Sequence, residues 1–502
     1  MDTAYQRLLA HVRTTNDLGK ASAVLRWDRE TNMPKAGDPA RIEQLTTLRR
    51  LIHERSTSTA YGDLIEAAAA QVDGTGDALA ADLIRVLRYD YARARRLPED
   101  LVVRTAETSA RARTVWESAR ADADFARFQP WLEQLVEIQR EMAERYGYAG
   151  EPYDALLEGY EQGATTAEVR AVFDAVRRET VPLVKAIAER ADAIDDAVVR
   201  QAFPIEAQTA FARHIAAVVG YDLDRGHLGT VVHPFATSFG RDDVRITTRW
   251  YPDDLRPALF GTLHESGHAI YEQNTGPELA RTPLASGTSA GIHESQSRMI
   301  ENLVGRSWPF WRAHFPDLRR HFPAQLAACD AEQFYRAVNK LQPSFIRVEA
   351  DELTYNLHII LRFELEQALL GGTLAVADLP GAWNDGLRAL LGVVPLNDRE
   401  GVLQDVHWSG PSFGYFPTYA LGNLYAAQLM EAARAQSPDV DADLDAGRTG
   451  ALVAWLREHV HRHGRRYPPA VLIERATGAP LGHAAFVRYA RAKFGRLYDL
   501  PI

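Results

Sequence analysis

Apolar positions recur at three- and four-residue spacing through most of the chain, which is the period of helices with one buried face. In Val169–Ala197 the pattern is sustained over many turns, with Pro182 expected to kink or split the helix. The same spacing predicts helices over Leu132–Met142 and Phe345–Leu370. Ala, Leu, Arg and Glu are abundant and favour helix intrinsically. One region departs from this pattern. Thr230–Phe239 and Val244–Tyr251 are rich in Val, Thr and aromatic residues, and Gly240-Arg241-Asp242-Asp243 lies between them, so a β-hairpin is expected there. In its second strand, Arg245, Thr247 and Arg249 fall on one face and Val244, Ile246, Thr248 and Trp250 on the other. The expected fold is mainly α with one small β element.

No Pro/Gly-rich linker, repeat or low-complexity tract divides the chain, so residues 1–502 are read as a single domain. The most loop-like stretch, Ser437–Gly450, reads as a surface loop between helices. With 46% hydrophobic residues among 502, a large core can form, and disorder is excluded. There are 57 Lys+Arg against 67 Asp+Glu, a net charge of −10, which argues against a general nucleic-acid binder. The opening segment lacks an apolar signal core, and no run of about 18 apolar residues occurs. A soluble cytoplasmic protein without nucleic-acid or membrane partners is the expectation. A single cysteine, Cys329, excludes an internal disulfide and reads as a buried, inert thiol.

The chemistry concentrates at residues 264–268, His-Glu-Ser-Gly-His, an H-E-x-x-H pattern in a helical setting. Asp253 or Asp254 can cap the helix, Leu255, Leu259, Leu263 and Ile270 give it an apolar face, and Gly276-Pro277 stops it. His264 and His268 lie one turn apart, so both imidazoles can reach one metal ion. Glu265 is rotated away, as suits a base acting on water beside that metal. Gly267 costs on the order of 1 kcal/mol inside a helix, so its presence implies that something approaches closely there. Glu294, 26 positions after His268, is the candidate third ligand, on a second amphipathic helix buried through Ile292, Met299, Ile300, Leu303 and Val304. His293 and Glu301 are rival ligands on that helix.

These residues sit within a wider set of motifs: His233-Pro234-Phe235, Asp243-Val244-Arg245-Ile246-Thr247, His264–His268, His293-Glu294-Ser295-Gln296, Ile346–Asp351 (I-R-x-x-A-D) and Gly401–Trp408 (G-x-x-Q-D-x-H-W). Trp27-Asp28 through Pro34 and Phe413–Tyr419 flank them. In this order they resemble the thermostable carboxypeptidase family typified by Taq carboxypeptidase, over essentially the whole chain. The resemblance implies a zincin-like helical fold with a deep groove. It also implies a metal-dependent carboxypeptidase releasing single C-terminal residues with broad tolerance, Pro disfavoured. Zinc is the implied metal, with cobalt able to substitute, and a homodimer is the implied assembly. It assigns His264, His268 and Glu294 to the metal and Glu265 to general base and acid.

The reaction needs two further functions. The oxyanion requires a donor, for which Tyr419 and His407 are candidates, with a core role for either aromatic still open. An exopeptidase must also bind a free carboxylate, and Arg is the residue best suited to bidentate pairing. Arg347 is the first candidate, opening a predicted helix whose polar stripe is Arg347, Asp351, Tyr355 and His358. Arg245 is the second, and with His233 it is expected to close the far end of the groove. Peptides with a free C-terminus are the expected partners. An oligoendopeptidase or dipeptidyl carboxypeptidase on a related scaffold is the alternative, and a peptide-binding protein with a decayed site is a third reading. The cluster His459, His461, His463 and the basic run Arg93–Arg96 are read as a helix terminus and a solvated face.

Overall fold

The computed structural model describes residues 3–501, so Met1 and Asp2 of the opening segment lie outside the described residues. Helices dominate, and one three-stranded sheet is present. Two compact units are assembled, each from three separated stretches: Met1–Arg95, Asp196–Val338 and Leu429–Ala479 in the first, and Arg96–Asp195, Asn339–Gln428 and Pro480–Ile502 in the second. A boundary crossed this often leaves no linker composition to find, so the sequence offered no place to cut.

The first unit contains the sheet and the H-E-x-x-H helix. Its N-terminal helices Ala4–Thr31, Thr59–Val72 and Ala78–Ala94 meet through Leu8, Val12, Ile65, Ala68, Leu83 and Leu87, and Leu279 and Leu284 complete that cluster from far along the chain. The hairpin region holds three strands: β1 (Gly226–Thr230), β2 (Ala236–Gly240) and β3 (Asp243–Thr248), in the order β1-β3-β2. β2 and β3 form the expected antiparallel hairpin, with a register shift between Ser238 and Gly240, while β1 runs parallel to β3. The predicted first strand is thus broken, and Val232, His233 and Pro234 bulge out exposed between β1 and β2. On β3, Val244 and Ile246 are fully buried and Arg245 half-buried, as the alternation predicts. Thr247 is buried too, because its hydroxyl and the Phe235 backbone satisfy each other in both directions.

Three other expectations change. The helix Thr166–Ala188 is not split at Pro182 but continues across it. That proline is exposed, so water can satisfy the carbonyl it leaves without a partner. Ser437–Gly450 contains a helix, Pro438–Asp445, whose Pro-Asp start suits a helix N-terminus and which buries Val440. The helix predicted from Phe345 begins only at Tyr355. Arg347–Glu349 is a single 3-10 turn, and Asp351 Oδ1 then accepts from the backbone N–H groups of Leu353 and Thr354, fixing the helix start after it. The segment Leu132–Met142 lies inside a longer helix, Phe125–Tyr146. Among the described residues, no helix is long and apolar enough to cross a membrane.

Candidate metal centre

The motif helix, Arg256–Gln273, starts where Asp254 Oδ1 accepts from the backbone N–H of Arg256 at 2.9 Å. It is buried on nearly all sides, by Leu259, Phe260, Leu263, Ala269, Ile270 and Tyr271. Glu294 stands on Ala290–Arg298, capped by the Ser289 hydroxyl at the Ile292 N–H. Gly267 explains how the two helices meet. A Cβ built on it would lie 2.3 Å from the Gln296 carbonyl oxygen and 2.6 Å from the Ser297 Cα, so the backbones approach as only glycine permits.

At this contact three candidate donor atoms converge. Glu294 Oε2 lies 3.4 Å from His268 Nε2 and 3.7 Å from His264 Nε2, and the three donor atoms all fall within 4.8 Å of one another. A tetrahedral ion with bonds of about 2.1 Å holds its ligands about 3.4 Å apart, so the donor set fits a divalent metal of the zinc type. Among the described residues this is the one group of three with such convergence.

The remaining nitrogen of each imidazole is also engaged. His264 Nδ1 lies 2.9 Å from Glu301 Oε2, and His268 Nδ1 lies 2.6 Å from His293 Nδ1. His293 Nε2 in turn meets Glu272 Oε1 at 2.9 Å. The two rival ligands therefore sit behind the histidines rather than beside them. Arg298 donates to Glu294 Oε1 at 2.7 Å and approaches Glu301 Oε2 at 3.3 Å, so one cation ties the two carboxylates. Glu301 lies in a π-helical stretch, Met299–Val304, whose wider turn follows directly on the ligand helix.

Charge follows from these partners. Burial opposes ionisation of Glu294, but Arg298 and His264 outweigh it and hold the carboxyl well below its ordinary range. Glu301 is likewise opposed by burial, yet Arg298 and His264 bring it down to about 2. Burial lowers His268 to about 4, keeping it neutral as a ligand requires. Glu265 is 7% exposed, and burial pushes its carboxyl up to about 7. Among the described residues no hydrogen bond engages it. A buried, unclaimed carboxyl near neutrality is a group suited to exchanging protons.

The other candidates fall into two places. In the first unit, Arg245 is paired with Asp243 through two 2.8 Å contacts and sandwiched between Trp27 (4.5 Å) and Phe239 (4.9 Å), while His233 is exposed. In the second unit, Arg347, His407 and Tyr419 come together. Arg347 donates to Asp405 Oδ1 (2.6 Å from Nη2) and to the Tyr355 hydroxyl (2.8 Å), with its Cζ 5.0 Å from the Tyr419 ring centre. His407 Nε2 lies 3.4 Å from the Tyr419 hydroxyl, and burial lowers this imidazole to about 4. Asp405 also pairs with Arg362, so two buried guanidinium groups share one carboxylate.

Sequence reading missed Glu272, Arg298, Arg362 and Asp405. Glu272 and Arg298 had a local signal, since each lies four residues after a ligand and so one turn along the same face. Asp405 stands in the Gly401–Trp408 motif, but its partners are 58 and 43 positions away and gave no local signal. His461 is fully buried, with Nε2 2.8 Å from Gln296 Oε1 and its ring against Tyr271. Burial pushes the Cys329 thiol up to about 11.

Comparison with known proteins adds independent findings. The family described as carboxypeptidase Taq (M32) metallopeptidase matches residues 7–494. Thermostable carboxypeptidase 1 of Thermus thermophilus is 42% identical, with 99% of each chain covered. Carboxypeptidase 1 of Bacillus subtilis is 40% identical over 96% of each. The crystal structure of the M32 carboxypeptidase from Deinococcus radiodurans R1 superposes with a TM-score of 0.96 at 42% identity, covering 99% of this chain and all of that one.

Proposed function

Because the chain belongs to the carboxypeptidase Taq (M32) metallopeptidase family and is thereby a metal-dependent carboxypeptidase, we propose that it releases single C-terminal residues from peptides with a zinc ion held by His264, His268 and Glu294. The observation that carries the reading is the convergence of those three donor atoms beside the buried Glu265. Cobalt substitution, broad side-chain tolerance with Pro disfavoured, a homodimer and a cytoplasmic location belong to the same proposal by likeness to the family.

A bound divalent ion supplies Lewis acidity, polarising a peptide carbonyl and making water a better nucleophile near neutral pH. The protein's own residues do the rest. Glu265 takes a proton from the attacking water and returns it to the leaving amine, an exchange for which its buried, unclaimed carboxyl is placed. His407 and Tyr419 are the proposed donors to the developing oxyanion. His407 is neutral, and the 3.4 Å spacing to Tyr419 lets the two act together. Arg245 and His233 are proposed to limit how far the substrate extends.

Arg347 is proposed to receive the substrate carboxylate. Arg347, Asp405 and Arg362 carry one excess positive charge inside the protein, which an incoming carboxylate would balance. In Arg347→Ala, Asp405 keeps Arg362, so the fold should survive. We expect kcat/KM to fall about 10–100-fold, the worth of a charged hydrogen bond. The preference for a free over an amidated C-terminus should be lost as well, and retention of that preference would remove Arg347 from the role.

The test of the function is a short defined peptide followed by mass spectrometry, with and without chelator. A ladder of single C-terminal losses that stops on chelation and resumes with zinc is the expected result. Internal cuts or dipeptide losses would instead support the oligoendopeptidase or dipeptidyl carboxypeptidase alternative.

A further inference from the structure

The two histidine ligands are supported differently. His264 places its Nδ1 against a carboxylate, Glu301, the usual arrangement behind a metal-binding imidazole. His268 places its Nδ1 against a second imidazole, whose other nitrogen meets the carboxylate of Glu272. Building on the metal-centre reading above, we propose that His293 is a positioning residue, a spacer through which Glu272 fixes the tautomer and ring orientation of His268.

The proton count leads to this assignment. A separation of 2.6 Å between two Nδ1 atoms accommodates one proton, so one ring donates and the other accepts. If His268 donates, its Nε2 presents a lone pair toward Glu294 Oε2, where a metal would sit. His293 then carries its proton on Nε2, directed at Glu272 Oε1, and with an ion held between His268 Nε2 and Glu294 Oε2 all three contacts would be satisfied. In the reverse arrangement, the His268 proton occupies Nε2 and obstructs the metal. The bare Nε2 of His293 would then face a carboxylate. Glu272 thus selects the tautomer that can bind metal, although it touches no ligand itself.

The surroundings hold each member in place. Glu272 and His268 lie one turn apart on the motif helix, and His293 reaches across from the facing helix to join them. The His293 ring lies between His268, 4.7 Å between ring centres, and Tyr271, at 5.2 Å. Gly287 gives that ring its space, since a Cβ there would stand 2.7 Å from His293 Cδ2. Burial disfavours the Glu272 charge, but His293 and Lys20 outweigh it and the carboxyl lies below its ordinary value. Lys20 is itself anchored by donating to the Ser238 carbonyl at 2.8 Å. The centre therefore has one carboxylate directly behind a ligand and one set a full ring further back. That keeps the second negative charge from weakening the ion's Lewis acidity as strongly as the first.

The experiment titrates zinc or cobalt into metal-free protein against a competing chelator and records the cobalt absorption spectrum. His293→Ala is expected to bind metal about 10–100-fold more weakly, the usual effect of losing a partner behind a ligand. Its cobalt spectrum should change while the metal-free melting temperature stays as in wild type. His293→Gln, whose amide oxygen can accept from His268 Nδ1, should recover most of the affinity and the spectrum. Unchanged affinity and spectrum in His293→Ala would overturn the inference. So would an equal loss in both variants with a lowered metal-free melting temperature, which would make His293 packing alone. Failure of the wild type to bind either metal would instead strike the metal-centre reading on which the inference rests.

Discussion

Glu265→Gln is expected to lower kcat/KM by about 10²–10⁴-fold, the contribution of a positioned acid–base group, while zinc still binds with wild-type stoichiometry. Gln keeps the size and shape of the side chain but cannot take or return a proton. The substitution touches neither ligand nor partner, since no hydrogen bond engages the Glu265 carboxyl among the described residues. A second readout separates this role from a structural one. The folded, metal-free protein ionises Glu265 near 7 because of burial, whereas an unfolded Glu ionises near 4.3. Between those values the folded state holds a proton that the unfolded state has lost. This group's contribution to stability therefore diminishes as pH rises through the window. In the Gln variant that dependence should vanish from metal-free melting curves. Peptide hydrolysis by the variant within a few-fold of wild type would exclude Glu265 as the base.

Gly267→Ala should be the most damaging single-methyl change in the centre. Ala favours helix over Gly by about 1 kcal/mol, so an exposed site would gain stability. Here the new methyl group meets backbone, the Gln296 carbonyl at 2.3 Å and the Ser297 Cα at 2.6 Å, neither of which can rotate away. The helices must separate, at a cost typical of overpacking, about 1–3 kcal/mol beyond the propensity gain. The larger effect falls on the metal. His264 and His268 stand on one helix and Glu294 on the other, so separation pulls the third donor from the first two. Zinc affinity is expected to drop by at least about 100-fold, a loss beyond that of a distant supporting partner. Competition titration beside a thermal melt measures both. Wild-type zinc affinity in a folded Gly267→Ala protein would show that the contact does not set ligand spacing.

Legibility in the sequence followed the range of the interactions. The H-E-x-x-H spacing is internal to one helix, and helical geometry alone places two imidazoles together. Gly267 was readable as a close approach because its local cost needed compensation, although the partner backbone at 296–297 could not be named. Glu294 emerged from its amphipathic helix, but a helical wheel orders residues on one helix without saying what stands opposite. For that reason His293 and Glu301 read as rivals to Glu294, although they lie behind His268 and His264. Long-range pairings were invisible. Arg347 and Asp405 are 58 positions apart, and the parallel partner of β3 lies beyond a loop that reads as continuous strand. The late start at Tyr355 reflects the side chain of Asp351 competing for backbone N–H groups, which hydrophobic periodicity does not register.

The construction of the first unit from three separated stretches bears on how the protein is made. Helices up to Ala94 leave the ribosome early, with Leu8, Ile65, Leu83 and Leu87 shaped to a cluster that Leu279 and Leu284 complete. Those partners are synthesised roughly 200 residues later, about 10–40 s at ordinary elongation rates. Until then the apolar faces of the first helices lack part of their cover. His264, His268 and Glu294 are synthesised close together, but His461, whose Nε2 meets Gln296 Oε1 beside them, follows 165 positions after Gln296.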